Sequence, residues 1–150
     1  MIKIYTIGFT KKTAKQFFSI LNENNIDTVV DVRLNNSSQL AGFSKYPDIE
    51  FFLDKICNIK YRHDLHFAPN DSTLTRYKKK QISWEEYEKE FAQTMLERKI
   101  TAYIRANYTS KDSICLLCSE PTPENCHRRL VANYFKESLH EALIVSICHY

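Results

Sequence analysis

The sequence predicts an α/β domain: a three-layer, Rossmann-like arrangement with a mostly parallel sheet of about five strands and helices on both faces. Three observations lead there. Short apolar runs (Ile2 to Ile7, Thr28 to Val32, Ile59 to Arg62, Ser113 to Cys118 and Leu143 to Ile147) alternate with stretches of helical periodicity. Thr28 to Val32 is a compact β-branched run bounded by charge, as suits a strand buried on both faces. Two capping boxes, Thr13 with Gln16 and Ser83 with Glu86, mark helix starts between the runs. The 150 residues, 43% hydrophobic and 26% charged, can bury one substantial core, so residues 1–150 are read as a single domain.

The elements follow in order. Ile2, Ile4 and Thr6 share one face of the first strand, and Gly8 lets the chain turn. Phe17, Phe18 and Leu21 form the apolar stripe of the first helix, which Asn24-Asn25 ends. The second strand delivers Asp31 and Arg33 to its C-terminal end. Leu34 to Ser44 reads as a polar loop. Pro47 opens a helix to about Cys57, with Ile49, Phe52, Leu53 and Ile56 at helical spacing. Leu65 to Gln81 is the least regular stretch. Trp84, Tyr87, Phe91 and Met95 trace one face of a long helix to about Lys99, and Thr101 to Tyr108 suggests another. Thr122, with Pro123 at the first helical position, is expected to cap the last helix, which puts Cys126 in its first turn. With only two glycines, turns of positive φ are expected to be rare or carried by Asn and Asp.

The net charge of +3 does not by itself argue for nucleic acid. No apolar run reaches membrane-spanning length, and the first residues lack the layout of a signal peptide. A cytoplasmic protein with no membrane partner is the expectation. The five cysteines then read as thiols.

The chemistry concentrates between Cys115 and Arg129, at a strand-to-helix junction. Ligands of parallel sheets bind outside the C-terminal strand ends. Cys126 beside His127 and Arg128 at a helix start can ionise readily, although it could equally be a small buried hydrophobe. Cys118 ends the strand. Cys115, three residues earlier, points to the opposite face, which disfavours a zinc ion held by Cys115, Cys118, Cys126 and His127 together. A thiol phosphatase loop is excluded: six positions after Cys118 stands Glu124 rather than an arginine, and Pro121 and Pro123 remove backbone donors.

Asp31, Glu120 and His127 are the acid–base candidates. For Asp31 the competing reading is an ion pair with Arg33 or Arg128, and for Glu120 a bond to a backbone N–H. Arg33 and Arg128, with Arg129 and a helix N-terminus nearby, form an anion site. Arg76 to Lys80, with Tyr77 among the charges, reads as a solvated face more than a phosphate contact. His63 and His66 are not read as metal ligands.

Three segments resemble the domain of unknown function 488 family: Thr6-Ile-Gly-Phe-Thr10, Asp31-Val-Arg through Gly42-Phe43, and Cys118-Ser-Glu followed by Cys126-His-Arg128. The resemblance runs from the first strand to the last helix. It implies a compact α/β domain with these motifs gathered at one end, and it implies no reaction. It adds Gly8 and Ser37 to the matching positions. Many members carry His-Ser where this chain has Phe9-Thr10, and a proline and an arginine where it has Asn36 and Gln39.

The candidate catalytic residues are therefore Asp31, Cys118, Glu120, Cys126 and His127. The candidate anion or substrate contacts are Gly8, Arg33, Ser37 and Arg128. The expected function is an enzyme acting on a phosphate-bearing small molecule, such as a nucleotide, or on nucleic acid, with no metal or cofactor assigned. A non-catalytic nucleic-acid or anion-binding module is the alternative, and a thiol redox or metal-binding protein the second.

Overall fold

A computed structural model describes residues 2–37, 42–109, 111–119, 125–139 and 145–150. Five strands, β1 (Ile2–Gly8), β2 (Thr28–Asp31), β3 (Lys60–His63), β4 (Ile114–Cys118) and β5 (Val145–His149), form one sheet in the order β3-β2-β4-β1-β5. Every pairing is parallel. Among the described residues six helices accompany them: α1 (Ala14–Glu23), α2 (Asp48–Phe52), α3 (Asp71–Lys78), α4 (Trp84–Glu97), α5 (Ile100–Asn107) and α6 (His127–Ser138).

Strand alternation divides the core into two layers. Val29, Cys115 and Leu117 point to the side covered by Phe17, Phe18 and Leu21 of α1 and Ile49 of α2. Val30, Leu116 and Cys118 point to the side covered by Phe91 and Met95 of α4, Ile104 of α5 and Phe135 of α6. Each such side chain contributes about 1.5–3 kcal/mol through burial. The layers are those of a doubly wound sheet, but the strand order is not that of a dinucleotide-binding fold.

That order decides where a ligand can sit. From β1 the chain passes through α1 and crosses β4 to reach β2. From β4 it passes through α6, on the opposite face, and crosses β1 to reach β5. β1 and β4 are thus neighbours whose connections leave in opposite directions. A crevice opens at the carboxyl ends of such a pair.

Both capping boxes form, each bond worth about 1 kcal/mol. Three expectations change. After α2 the helix widens into a π-type turn, Leu53–Cys57, whose Asn58 N–H reaches back to the carbonyl of Leu53. The wider turn shifts the helical phase, so Ile49 and Leu53 are buried while Ile56 is 54% exposed. The stretch read as irregular contains a 3₁₀ turn, Leu65–Phe67, and helix α3, which is so polar that its periodicity is faint. Positive φ falls on Lys11, Asn25, Asn58, Lys80 and Lys99 among the described residues, so lysines share the role expected of Asn and Asp. No helix among the described residues is long and apolar enough to cross a membrane.

Candidate functional site

A cleft of about 500 Å³ lies at the switch point between β1 and β4. Phe9 and Thr10, directly after β1, form one edge. Arg33, Leu34 and Asn35 come from the end of β2, and Cys118 and Ser119 from the end of β4. Asn125, Cys126 and His127 bring the start of α6, while Leu74, Tyr77 and Lys78 of α3 and Trp84 and Tyr87 of α4 form the far wall. Thr10 ties the edge together by donating from its N–H (3.2 Å) and its hydroxyl to the carbonyl of Ser119.

Asp31 and Arg33 are a buried pair beside this cleft. Arg33 Nε donates to Asp31 Oδ1 (2.9 Å) and Nη2 to Oδ2 (2.7 Å), a two-pronged geometry that fixes the guanidinium plane. The Arg33 N–H also donates to Oδ1 (3.1 Å), and the Tyr61 hydroxyl to Oδ2 (2.6 Å). Each oxygen of Asp31 thus accepts two bonds. Burial is the largest cause pushing the Tyr61 hydroxyl above its usual range, with the Asp31 charge adding to it. Nη2 donates to the carbonyl of Ser44 (2.8 Å) as well. Nη1 is buried and has no hydrogen-bond partner among the described residues. The ring of Phe9 lies 5.2 Å from the guanidinium carbon.

Cys118, Cys126 and His127 form a second buried group. Cys118 Sγ lies 3.6 Å from His127 Nδ1. On the other side of the imidazole, Nε2 is 2.7 Å from the carbonyl of Val32. A carbonyl only accepts, so Nε2 carries a proton, and Nδ1 is the ring nitrogen that faces Cys118. The hydrogen bond from Cys126 lowers the Cys118 thiol below its usual range; burial opposes this, and the Ser119 N–H and Arg128 support it. Cys126, as the donor and buried, is held well above its usual range.

The local backbone differs from expectation. The last helix begins at His127, and Cys126 is its N-cap in extended conformation (φ −136°, ψ 136°) rather than a residue of its first turn. Cys126 is buried in the same core layer as Cys118. Thr122 and Pro123 themselves lie outside the described residues, as does Glu120. Cys115 sits on the opposite face, as expected, and burial raises its pKa far above the usual thiol range.

Of the other named positions, Gly8, Ser37, Arg76, Arg128 and Arg129 and the two histidines His63 and His66 are not among the residues that line the cleft. Gly8 pairs with Cys118 across the β1–β4 ladder. Ser37 is exposed and closes a turn onto Asn35 Oδ1 (3.0 Å). Arg128 is fully buried, with Nη1 3.8 Å from Cys126 Sγ. Arg129 pairs with Glu88 (2.9 Å). Arg76 is pinned to Glu90 (Nη1 to Oε2, 2.9 Å), leaving Tyr77 and Lys78 of that basic run to face the cleft. His63 Nε2 meets the carbonyl of Arg33 (2.7 Å), and His66 stacks on Tyr103.

The far wall was hidden in the sequence. Trp84 and Tyr87 read as part of the α4 core stripe. They are in that core, stacked at 4.8 Å, and they also face the cleft. Tyr77 packs on both, at 5.5 and 5.1 Å. The tyrosine embedded in the basic run was the available signal.

The family described as Domain of unknown function DUF488 matches residues 13–135, so the chain belongs to that family. No curated protein and no solved structure matches it.

Proposed function

For this member of the DUF488 family we propose an enzyme acting on a phosphate-bearing substrate with an aromatic ring, a nucleotide or a nucleotide unit of nucleic acid. The observation that carries this is Arg33 Nη1, a buried cationic donor with no hydrogen-bond partner among the described residues, on a side chain that lines the cleft. An unsatisfied buried donor costs about 1–3 kcal/mol, and more when charged. A phosphate oxygen entering the cleft removes that cost. Lys78 adds a second positive charge at the rim, exposed enough to move toward a ligand.

The rest of the cleft suits the rest of a nucleotide. Phe9, Tyr77, Trp84 and Tyr87 offer aromatic surface, and base–aromatic stacking is worth about 1–3 kcal/mol per base. The volume of about 500 Å³ lies in the range of small-molecule sites. Cys118, Cys126 and His127 are the reactive end, and Asp31 acts through Arg33 as a positioning residue. Cys57, Cys115, Cys118 and Cys126 are free thiols, in keeping with a reducing compartment, and we place the protein in the cytoplasm.

The test is a turnover screen over nucleotides and short oligonucleotides. The wild type should convert at least one substrate class. Cys118→Ser should lose about 100-fold or more in kcat/KM while keeping the wild-type circular dichroism spectrum. Full activity in Cys118→Ser, or turnover confined to substrates without phosphate, would contradict the reading.

A further inference from the structure

We propose that Cys118, Cys126 and His127 bind a zinc ion through two sulfurs and one imidazole nitrogen, leaving its fourth position to the cleft. One ligand atom from each residue lies within 4.8 Å of the other two, and all three side chains are buried. This inference rests on that geometry alone and does not depend on which ligand the cleft takes.

The distances suit the ion. With Zn–S of about 2.3 Å and Zn–N of about 2.05 Å at the tetrahedral angle, sulfur and nitrogen stand about 3.6 Å apart. Cys118 Sγ and His127 Nδ1 are 3.6 Å apart. That spacing is right for two ligands of one ion.

The surroundings suit it as well. Histidine ligands hold their remote N–H on a carbonyl or carboxylate, which fixes the tautomer that binds metal. His127 does this through Nε2 on the carbonyl of Val32 at 2.7 Å. Arg128 Nη1, 3.8 Å from Cys126 Sγ, is placed to donate to a bound sulfur. Two thiolates cancel the charge of a divalent ion, so the loaded group is neutral and tolerates Arg33 and Arg128 nearby. Two sulfurs and a nitrogen select zinc over magnesium or calcium. On loading, each thiol proton still present is released to solvent.

Among the described residues, three protein ligands come together here. Cys115 belongs to the same motif, but strand alternation sends it into the opposite core layer. Three ligands with a position left over is the pattern of catalytic zinc, whereas structural zinc is closed by four. Cys118, Cys126 and His127 all line the cleft, so water or a substrate oxygen supplies the fourth. A zinc ion there would polarise that oxygen or bring bound water toward a pKa of about 7.

The experiment uses the reduced, metal-stripped full chain, titrated anaerobically with Co²⁺ and then with Zn²⁺. One equivalent of cobalt should produce thiolate-to-cobalt absorption and the intense visible bands of a tetrahedral site. One equivalent of zinc should abolish both. Cys118→Ser and Cys126→Ser should each weaken binding by about 100-fold or more, His127→Ala by about tenfold or more, and Cys115→Ala not at all. Folded wild-type protein without the thiolate band overturns the proposal, whatever the variants do. So does equal loss in Cys115→Ala, or a Cys118–Cys126 disulfide as the sole product while the reduced form takes up no metal. Metal uptake without nucleotide binding would leave this inference standing and remove the phosphate reading; the reverse result would do the opposite.

Discussion

Two carboxylates, Asp31 and Asp64, lie buried at the ends of the neighbouring strands β2 and β3. Each is held by an arginine and by a tyrosine hydroxyl. Asp64 accepts from the hydroxyls of Tyr103 (2.8 Å) and Tyr108 (2.7 Å) and from the backbone N–H of His66 (3.1 Å), and it pairs with Arg62 (3.5 Å). Arg62 in turn donates to Tyr103 and lies over the ring of Tyr108. This network closes on itself, and none of its buried side-chain polar atoms is left over among the described residues. The Asp31 network ends instead on Arg33 Nη1, which has no hydrogen-bond partner among them and belongs to a side chain lining the cleft. The two carboxylates are alike in burial, whereas the Arg33 side chain is 6% exposed and that of Arg62 39%, so Arg62 reaches solvent and Arg33 does not. What separates a structural knot from a candidate site is whether the hydrogen bonds are completed within the fold.

The contrast can be broken most strongly at Asp64. Asp64→Ala strands two tyrosine hydroxyls and an arginine, and should cost about 3–5 kcal/mol of stability in urea denaturation. Ligand affinity of the remaining folded protein should not change. A matching fall in affinity would mean that the two networks are one.

Arg33→Lys tests the other side. Lysine keeps the charge and loses the two-pronged contact with Asp31. Affinity for a phosphate-bearing ligand, measured calorimetrically, should drop about 10- to 100-fold, with a smaller stability loss of about 1–2 kcal/mol. A large stability loss with unchanged affinity would make Arg33 as structural as Arg62.

Lys78→Ala is the mildest change. Lys78 is exposed, so stability should move by less than about 0.5 kcal/mol. Affinity should fall about threefold at low salt, and the difference should vanish at high salt, because a rim charge is screened. A salt-independent effect would point to a packed role.

Much of this was legible in the sequence, for physical reasons that differ by residue. Thr13 and Ser83 announced their helices because a capping box is a local signal satisfied locally. The region of Cys118, Cys126 and His127 stood out because such side chains rarely crowd one junction without cause. Strand order was not legible: parallel pairing leaves no mark of which strand neighbours which. The crevice between them, and hence Phe9 and Thr10 at its edge, had to come from the structure. Trp84 and Tyr87 escaped notice because one face of α4 both fills the core and lines the cleft. The start of α6 was misplaced because the Thr-Pro signal is local, whereas the seat of Cys126 beside Cys118 is tertiary.

The central claim is that one cleft joins an anion donor to an aromatic wall. Isothermal titration of the wild type and Trp84→Ala with inorganic phosphate, a nucleoside and the corresponding nucleoside monophosphate tests it most directly. The monophosphate should bind the wild type about 10- to 100-fold more tightly than inorganic phosphate, as stacking of about 1–3 kcal/mol requires. Trp84→Ala should erase most of that advantage and leave phosphate binding unchanged. A monophosphate that binds no more tightly than phosphate, or an advantage that survives Trp84→Ala intact, would contradict it.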